Sequence, residues 1–593
     1  MIAMKTNEIR QTFLEYFQNK NHKIVPAASL IPQDISSSSL FTVAGMQQFR
    51  PYFIGLRDPF KDIHPGLATP LGTKNVATIQ KCLRTIDIDS IGDNKHLTFF
   101  EMLGNFSFGG YFKKEAINYA FEFVTKILKI APEKLQISVF KGNDQIPFDE
   151  ESYQIWKALG IKEKQFILGD QDDNFWGPIG EEGPCGRCTE IYNQGIEIWN
   201  LVFNEFYQKQ DKSLEPLKIK GVDTGAGLER MTLITEFPDC QKQNKTIFDI
   251  DTFLPLIDYL KSNATYYEEK AGRIIADHFK ASIFLISEGL APSNVEQGYI
   301  LRRLIRRIVK YQNQISLKQN FEAELLSILQ NLYGNYYPEI LNTDLILKIF
   351  AEEKQKFAKT LQRGLKELEK MLDQNKKEIS GKEAFYLFET FGFPIEMILE
   401  EMQNRNIKVN VSEFQEEFKK HKEISRIGAE KKFGGHGLKN NDIIDEENQK
   451  IVKLHTATHL LLQALREVLD KNITQKGSDI SSEKLRLDFP FPRKLTPEEI
   501  KKIEELVNQK IQEGLEVTRE EKELKQALQE GYLGVFMMKY PDKVTTYNIG
   551  GWSKEICAGP HVKNTKEIGT FKIIKEESSS AGIRRIKATL TSN

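Results

Sequence analysis

Cysteine is scarce in this chain of 593 residues, which contains five. So few thiols, scattered along the sequence, do not make a disulfide framework, and we expect a reducing, cytoplasmic setting. A net charge is also lacking, because 82 Lys and Arg stand against 83 Asp and Glu. Whole-chain charge therefore neither favours nor excludes a nucleic acid, and any basic surface must be local.

Long apolar runs are missing as well. The most apolar stretch, residues 281–290, is too short to cross a bilayer. The first residues, MIAMKTNEIRQTFLEYF, are charged and amphipathic and lack the apolar core of a signal peptide. Hydrophobic residues still make up 40% of the chain, which is enough for several cores. We predict a globular protein without membrane association, built from roughly three to five domains.

Three blocks differ in their residue patterns. Residues 1–245 mix short β-rich runs with Gly and Pro and predict an α+β domain whose strands are antiparallel. Residues 246–432 repeat apolar residues at i, i+3, i+4 spacing and predict a helical domain. The polar, glycine-containing segment 433–449 indicates a linker. Residues 450–593 open with a helix, continue with strand-like runs and predict a second α+β domain.

Two histidines of the third block, His455 and His459, stand four residues apart on the predicted helix. This spacing places both imidazoles on one face, within reach of one metal ion. HxxxH alone is more often an ordinary helix surface. However, Cys557 and His561 follow in CAGPH, and the two pairs contain every Cys and His of the block. We therefore predict a Zn²⁺ site with three nitrogens and one sulfur, either structural or catalytic.

The first block contains aromatic and glycine-rich segments with polar residues among them. HLTFFEMLGNFSFGGYF is typical of a core strand pair, but its Glu and Asn need partners if they are buried, and a base-stacking pocket would supply them. GVDTGAGLER places glycines before a helix, with Asp223 ahead and Arg230 in its first turns. Glycines let backbone approach a phosphate, and Arg is a forked donor, although such turns are common. A lone CxxC, Cys185 and Cys188, favours packing over zinc.

Four arginines gather on about two turns of one predicted helix in the middle block. They are Arg302, Arg303, Arg306 and Arg307. A solvated charged face explains such a ridge as well as a function does. In a chain without net charge, a local basic ridge also suits a nucleic-acid phosphate backbone.

Several segments of the first block occur in the order found in alanyl-tRNA synthetases. They are TVAGMQQF, IQKCLR, TFFEMLGNFSFGGYF, DNFW, GPCGRCTE, IEIWNLVF and VDTGAGLER. The run IADHFKASIFLISEGLAPSNVEQGYILRRLIRR is similar to the family's tRNA-recognition domain, and HTATHLL with CAGPHV resembles its editing site. The resemblance covers nearly the whole chain. It implies a class II synthetase with an antiparallel-sheet catalytic domain, a helical tRNA-recognition domain, and a zinc-dependent editing domain like that of threonyl-tRNA synthetases.

The resemblance implies ATP-dependent attachment of alanine to tRNA-Ala through an alanyl-adenylate, with hydrolysis of Ser-tRNA-Ala and Gly-tRNA-Ala. Arg84 would hold the ATP α-phosphate and the alanine carboxylate. Phe100 or its neighbour Phe99 would stack on adenine. Arg230 would contact the γ-phosphate, with Mg²⁺ accompanying ATP. Residues implied at the alanine are Asp223, which would anchor the ammonium, and Trp176, Asn200, Val202 and Gly225, which would bound the pocket.

The family's readers of the acceptor-stem G·U pair have counterparts here. Asn294 matches the Asn of the SN step. FETFGFP resembles the family's FDTYGFP motif, so Glu389 stands where the family has Asp. The longer side chain either reaches the same donor or weakens the discrimination.

Two parts of the family pattern are not found in this sequence. No β-barrel segment precedes HTATHLL, and the chain ends soon after IRRIKATL, from which we expect a monomer. CAGPH departs from the more usual CGGTH but keeps both ligands. The alternatives are a trans-editing deacylase without synthetase activity and a non-catalytic RNA-binding module. The intact first block argues against the deacylase, and ATP–pyrophosphate exchange separates it from a synthetase. Arg84, Asp223 and Arg230 argue against the non-catalytic module.

Overall fold

The computed structural model describes residues 3–32, 39–178, 182–318, 320–372, 377–403, 405–430, 446–491, 493–534, 543–580 and 583–591, with only the backbone of 421–430, 446–447 and 578–580. Its contacts divide the chain into two compact units. The first is Met1–Ile379 with Tyr386–Val409, and the second is Ser380–Phe385 with Asn410–Asn593. Within the described ranges, no helix combines the length and the apolar character that a membrane span requires.

The first unit is built around one large sheet, which has nine strands among the described residues. Eight of them lie in the spatial order Lys23–Ile24, Asn75–Leu83, Phe99–Phe108, Leu214–Gly227, Ile196–Gln208, Gly183–Asn193, Leu135–Phe140, Phe166–Gly169, and Phe175–Trp176 pairs beside Gly183–Asn193. The pairs at the two edges are parallel and the central pairs are antiparallel. The predicted α+β class with an antiparallel sheet is confirmed.

Side chains that alternate along the strands give the sheet two different faces. On one face, Leu103, Leu201 and Phe203 join a core beneath the helix Thr6–Asn19. On the other face, Phe106 packs with aromatic residues of the segment Gly45–Phe53. Each fully buried Leu or Phe contributes about 1.5–3 kcal/mol, so both faces are firmly anchored. We call the Phe106 side the pocket face.

Helices surround this sheet. Those of the first unit with eight or more residues are Thr6–Asn19, Lys113–Glu122, Glu150–Ala158, Leu228–Glu236, Leu254–Asn263, Glu269–Ser287, Glu296–Gln314, Glu322–Tyr333, Thr343–Met371 and Ile395–Gln403, while Gly381–Phe391 begins in the second unit. Glu269–Ser287 is buried on every side from residue 271 to 286. A helix buried all round has no face toward solvent, so its apolar residues are not confined to one stripe, and the most apolar stretch of the sequence begins here.

The second unit combines helices with two small antiparallel sheets. Its helices are Val411–Glu430, Glu446–Val468, Pro497–Glu513 and Leu524–Gln529. One sheet has the strand order Gly477–Ile480, Leu485–Pro490, Ile583–Thr591, Thr570–Ser580, and the other Val517–Glu523, Lys543–Ile549, Ser553–Ile556. The core lies between Glu446–Val468 and Pro497–Glu513 and includes the strand Leu485–Pro490.

The boundary predicted at residue 245 lies inside the first unit and stays a prediction. Most of the predicted linker, residues 433–445, lies outside the described residues. Residues 446–449 begin the helix Glu446–Val468, and the bounds of the linker stay a prediction. Glu, Gln and Lys are favourable helix formers, which is why the polar run EENQK continues the helix.

Candidate active site and metal centre

The residues predicted for the alanine pocket meet on the pocket face. In the antiparallel pair of Ile196–Gln208 with Leu214–Gly227, Val202 lies directly opposite Asp223 and Asn200 opposite Gly225. Directly opposite side chains lie about 4.5–5.5 Å apart at Cβ, so the four form one patch. Val202 is buried at 4% exposure. Trp176 is half-buried on a short strand that pairs with Gly186.

Asp223 is the acidic group of this patch. Its carboxyl is 6% exposed, and burial raises its pKa to about 7. A buried carboxylate of this kind gains most from a cationic partner, because the charge is poorly solvated. The position therefore suits an ammonium group.

Glu190 is a second acidic group on the pocket face that the sequence analysis missed. It lies opposite Asn200 in the register, and the Asn200 Nδ2 donates to Glu190 Oε1 at 2.9 Å. Burial, followed by the charge of Glu197, raises the pKa of Glu190 to about 7. In the sequence, Glu190 is the final Glu of GPCGRCTE, a segment whose most conspicuous residues are its two cysteines. Both cysteines are buried and free, which agrees with packing.

Arg84 and Phe100 lie together at the end of the neighbouring strands. The Arg84 guanidinium carbon is 5.1 Å from the centroid of the Phe100 ring, and both side chains are half-buried. Phe99 is instead fully buried and stacks on Phe284, with 4.1 Å between ring centroids. Of the two aromatic candidates, Phe100 is the one that a ligand can reach.

Arg230 stands in the first turn of the helix Leu228–Glu236, directly after the glycine-rich strand. Its Nη1 donates to Glu197 Oε2 at 2.9 Å and to the Glu197 carbonyl at 3.2 Å. The three glycines, predicted as a turn, extend the strand instead. A Cβ at Gly225 would lie 2.8 Å from the Met102 Sδ, so this glycine allows a close side-chain approach.

Two buried carboxylates are sequence neighbours of Phe100 and Arg230. Glu101 follows Phe100, and Glu229 precedes Arg230. The Glu101 backbone N–H donates to Glu229 Oε2 at 3.1 Å. This bond ties the strand Phe99–Phe108 to the helix Leu228–Glu236.

Each of these carboxylates has a buried cationic partner. Arg10 Nη2 is 2.6 Å from Glu101 Oε2, and the Tyr337 hydroxyl donates to Glu101 Oε1 at 2.7 Å. Lys280 Nζ is 3.1 Å from Glu229 Oε1, and both side chains are at most 2% exposed. A buried carboxylate that loses its partner is strongly destabilising, so this cluster holds the two elements firmly. We call these five residues the buried ion cluster.

The arginine ridge on the helix Glu296–Gln314 is not an exposed surface. Its four arginine side chains are at most 17% exposed. Their carboxylate partners are Glu353 for Arg302 and Arg306, Asp89 and Glu396 for Arg303, and Asp89 and Glu400 for Arg307. Acidic residues distant in sequence thus cover much of the ridge, and its contact with RNA stays a prediction.

Asn294 and Glu389, the two predicted readers of the acceptor stem, are both exposed. The Arg302 Nη1 donates to Asn294 Oδ1, which fixes this amide in front of the arginine helix. Their contact with tRNA stays a prediction.

The second unit brings together the four predicted metal ligands. His455 and His459 project from the helix Glu446–Val468, and Cys557 and His561 follow the strand Ser553–Ile556. Their ligand atoms all lie within 4.8 Å of one another. Cys557 Sγ is 3.3 Å from His455 Nε2.

Hydrogen bonds prepare two of these imidazoles to bind a metal. His455 Nδ1 is 3.1 Å from the Pro560 carbonyl, which only accepts, so the proton lies on Nδ1. The Thr456 hydroxyl donates to the Val452 carbonyl at 3.1 Å and therefore accepts from His561 Nδ1, also at 3.1 Å. In both rings Nε2 is therefore the unprotonated nitrogen, the form in which His binds metals.

His459 lacks such support. Both of its ring nitrogens are buried and have no hydrogen-bond partner among the described residues. Burial, and then the charge of Arg466, lower its pKa to about 4, so the ring is neutral near pH 7. Burial raises the pKa of the Cys557 thiol to about 12, a penalty that a bound cation would reverse. A neutral, unpartnered ligand beside a thiol fits Zn²⁺.

An ion pair joins the helix Glu446–Val468, which carries His455 and His459, to the strand that precedes Cys557. Arg466 lies two turns after His459 on the same helix, and its Nη1 is 2.6 Å from Glu555 Oε1. Glu555 stands two residues before Cys557. Both side chains are at most 8% exposed. Such outer partners orient metal ligands, and neither Arg466 nor Glu555 was visible as a motif in the sequence.

Comparison with known proteins agrees with this geometry. Residues 8–481 match the family model of tRNA synthetases class II (A), and residues 544–587 match the threonyl and alanyl tRNA synthetase second additional domain. The first unit thus has the catalytic fold of a class II aminoacyl-tRNA synthetase. Within that class, the chain belongs to the alanyl-tRNA synthetase family, whose members are ligases.

Three curated relatives show how far this similarity extends. The alanine–tRNA ligase of Borrelia hermsii (strain HS1 / DAH) is 40% identical over 99% of this chain and 100% of its own length. That of Treponema denticola is 41% identical over 98% of each chain. That of Thermotoga maritima is 35% identical over 99% of this chain and 80% of its own. The family resemblance inferred from the sequence is confirmed.

Proposed function

We propose that this protein attaches alanine to tRNA-Ala in two steps at the pocket face. The alanine carboxylate attacks the ATP α-phosphorus and releases pyrophosphate, and a hydroxyl at the tRNA 3′ end then attacks the alanyl-adenylate carbonyl and releases AMP. The observation that carries this proposal is the register that joins Asp223 and Val202 on one face, with Arg84 and Phe100 at the end of the adjoining strands. Mg²⁺ would enter with ATP.

The pocket residues take roles that follow from their chemistry. The buried Asp223 carboxylate binds the alanine ammonium, and Val202 with Trp176 limits the space around the methyl group. Asn200, held by Glu190, and the small Gly225 complete the walls.

The residues around ATP balance its negative charge. Phe100 stacks on adenine while Arg84 faces the α-phosphate, where negative charge develops as the adenylate forms. Arg230 binds the γ-phosphate. The buried ion cluster holds Phe100 and Arg230 in place, because Glu101 adjoins Phe100 and Glu229 adjoins Arg230.

Alanine-dependent ATP–pyrophosphate exchange, followed by charging of tRNA-Ala, tests this proposal. We expect exchange with alanine and weaker exchange with glycine and serine, because one methyl or hydroxyl discriminates by only about 1–3 kcal/mol. Absence of alanine-dependent exchange would exclude the synthetase function and leave the alternative, a deacylase of mischarged tRNA.

We also propose that the second unit hydrolyses Ser-tRNA-Ala and Gly-tRNA-Ala. The pocket discriminates weakly among small amino acids, so a second hydrolytic site is the physical remedy. His455, His459, Cys557 and His561 would hold Zn²⁺, which either binds the substrate or fixes the site. The unpartnered His459 and the prepared Nε2 atoms support this ligand set. Deacylation of Ser-tRNA-Ala by the purified protein, together with its zinc content, tests the proposal.

A further inference from the structure

Thr224 lies between the two alanine-pocket residues of its strand, Asp223 and Gly225. Successive side chains of a strand point to opposite faces, so Thr224 faces away from the pocket. It pairs with Leu201, which belongs to the core beneath the helix Thr6–Asn19. The proposed function gives this buried hydroxyl no role.

The backbone ladder is interrupted beside Thr224. Pairing with the described strand Phe99–Phe108 stops after Asp223 and resumes at Ala226. Side-chain bonds fill this gap: the Asn105 backbone N–H donates to Thr224 Oγ1 at 3.1 Å, and the Thr224 hydroxyl donates to Asn105 Oδ1 at 2.6 Å. The position of the strand directly behind the pocket thus depends on the side chains of a threonine and an asparagine.

Two ring-bearing residues hold Asn105 in turn. Its Nδ2 donates to the Tyr111 hydroxyl at 2.8 Å, and this hydroxyl lies 3.0 Å from His22 Nε2. His22 Nδ1 lies 3.1 Å from the Lys20 carbonyl, which only accepts, so the ring proton is on Nδ1 and Nε2 accepts from Tyr111. Burial lowers the pKa of His22 to about 4 and raises the pKa of Tyr111, so both side chains are neutral near pH 7. Every bond of the series therefore has one direction, from Thr224 to Lys20.

We call the four side chains of this series the Thr224 network: Thr224, Asn105, Tyr111 and His22. Tyr111 is half-buried, and the other three residues are at most 4% exposed. A buried polar network whose members all have partners is rigid, and the loss of one member leaves its neighbours with unmet hydrogen bonds. The network also supplies the partners that the sequence predicted for a buried Asn in the aromatic segment.

We propose that the Thr224 network positions the Asp223 carboxylate for the ammonium group of alanine. The inference rests on the proposed function, in which Asp223 binds this ammonium. Among the described residues, no hydrogen bond or ion pair fixes the Asp223 carboxyl, so the backbone on either side sets its place. A binding group must be held to within about 0.5 Å, and hydrogen-bonded neighbours behind the site supply that precision. Thr224 acts through the backbone and touches no substrate, so it is a positioning residue.

Substitutions of nearly equal shape test the network. Thr224→Val removes both bonds to Asn105, whereas Thr224→Ser keeps the hydroxyl and is the conservative variant. Thr252→Val is the matched control, because Thr252 is also buried in the first unit and its Oγ1 has no partner among the described residues. Tyr111→Phe removes a hydroxyl that lies two hydrogen bonds from Thr224 and is the milder second test. The measurements are the alanine KM, the ATP KM and kcat in pyrophosphate exchange.

We expect Thr224→Val to raise the alanine KM about tenfold, the size of a weakened charge-assisted bond, with the ATP KM nearly unchanged. Tyr111→Phe should raise the alanine KM about threefold, the usual size of one hydrogen bond, and Thr224→Ser and Thr252→Val should resemble the wild type. A variant that only lowers the folded fraction reduces kcat and leaves both KM values unchanged. An unchanged alanine KM in both Thr224→Val and Tyr111→Phe would overturn the proposal, as would an equal rise in the two KM values.

Binding of alaninol separates this inference from the function on which it rests. Alaninol keeps the ammonium and methyl groups of alanine but has no carboxylate, so it cannot form an adenylate. In titration calorimetry, Thr224→Val should bind alaninol about tenfold more weakly than the wild type, and Thr252→Val should bind it equally. Equal binding by Thr224→Val and the wild type would overturn the inference and leave the proposed function intact. A wild type that binds alaninol without alanine-dependent exchange would refute the proposed function alone, and a wild type that does neither would refute both.

Discussion

The pocket face of the first unit and the metal-ligand cluster of the second hold their polar side chains in opposite ways. On the pocket face, Glu190 binds Asn200 and Glu197 binds Arg230, so protein partners fix the groups that substrates would meet. In the cluster, both ring nitrogens of His459 are buried without a partner among the described residues. Protein partners organise the first site, whereas the proposed Zn²⁺ would supply the missing partner in the second.

Arg84→Ala should produce the largest effect and should separate the two sites completely. Loss of the guanidinium at the developing charge should lower alanine-dependent pyrophosphate exchange by about 10³-fold. Zinc content and Ser-tRNA-Ala deacylation should not change. Lys95→Ala, an exposed lysine between the same two strands, is the control and should exchange normally. Near-normal exchange by Arg84→Ala would remove this residue from the mechanism.

His459→Ala tests whether the cluster of the second unit binds a metal ion. The variant should lose most of the zinc, which we expect at about one ion per chain, since three ligands rarely replace four in a closed site. Metal analysis of the purified protein measures this, with Gln463→Ala on the next turn of the same helix as control. Full zinc in His459→Ala, or none in the wild type, would contradict the site. Exchange, measured with Mg²⁺ in excess, should be unaffected by the substitution or by removal of zinc with a chelator before the assay.

Lys280→Met asks whether the first site depends on the buried ion cluster. The change leaves Glu229 buried without its cation, which costs about 3–5 kcal/mol when a buried pair is broken on one side. Urea unfolding should show this loss in the first unit, and exchange should fall because Arg230 is no longer well positioned. Adding Glu229→Gln should restore part of the stability. If Lys280→Met unfolds like the wild type, the cluster does not stabilise the fold.

The sequence alone predicts more of the metal-ligand cluster than of the pocket face, for a physical reason. HxxxH and CAGPH each carry two ligands within five residues, so local spacing alone predicted the metal set. The pocket face depends on pairing between strands, and the residues now seen there were found through family resemblance. Glu190 was missed because only the register places it opposite Asn200.

The helix Glu296–Gln314 shows the converse. Local spacing correctly predicted that Arg303 and Arg307 share one helix, but it did not predict which residues pack against them. Glu396 and Glu400 come from the helix Ile395–Gln403, about ninety residues further along the chain, and no local pattern announces that it packs there. A charge pattern predicts which residues share a face and does not predict what covers that face.

Asn294→Ala tests whether the first unit reads the acceptor stem of tRNA through this amide. If this amide reads the acceptor-stem G·U pair, its loss should lower kcat/KM for tRNA-Ala by a factor that corresponds to about 1–3 kcal/mol, the usual value of a base-edge contact. The wild type should discriminate between transcripts with G·U and G·C at this position, and the variant should not. Equal discrimination by both proteins would exclude the contact. Exchange without tRNA should be identical in the two.

The smallest expected effect is a pH dependence of alanine binding. Burial raises the pKa of Asp223 to about 7, so the carboxyl is increasingly protonated below that pH and no longer attracts an ammonium. In exchange assays, kcat/KM for alanine should therefore fall as pH decreases, approaching about tenfold per pH unit below the pKa. Glu190, with a pKa also near 7, should steepen the profile. A flat profile from about pH 6 to pH 8 would contradict a buried carboxylate anchor.

The central claim is that one chain both charges tRNA and removes its own errors. The direct test supplies serine, ATP and tRNA-Ala and measures AMP released together with Ser-tRNA-Ala accumulated. The account predicts that the wild type releases AMP continuously with little Ser-tRNA-Ala, whereas His459→Ala accumulates the mischarged product. Equal accumulation by the two proteins, or no serine-dependent AMP from either, would contradict it.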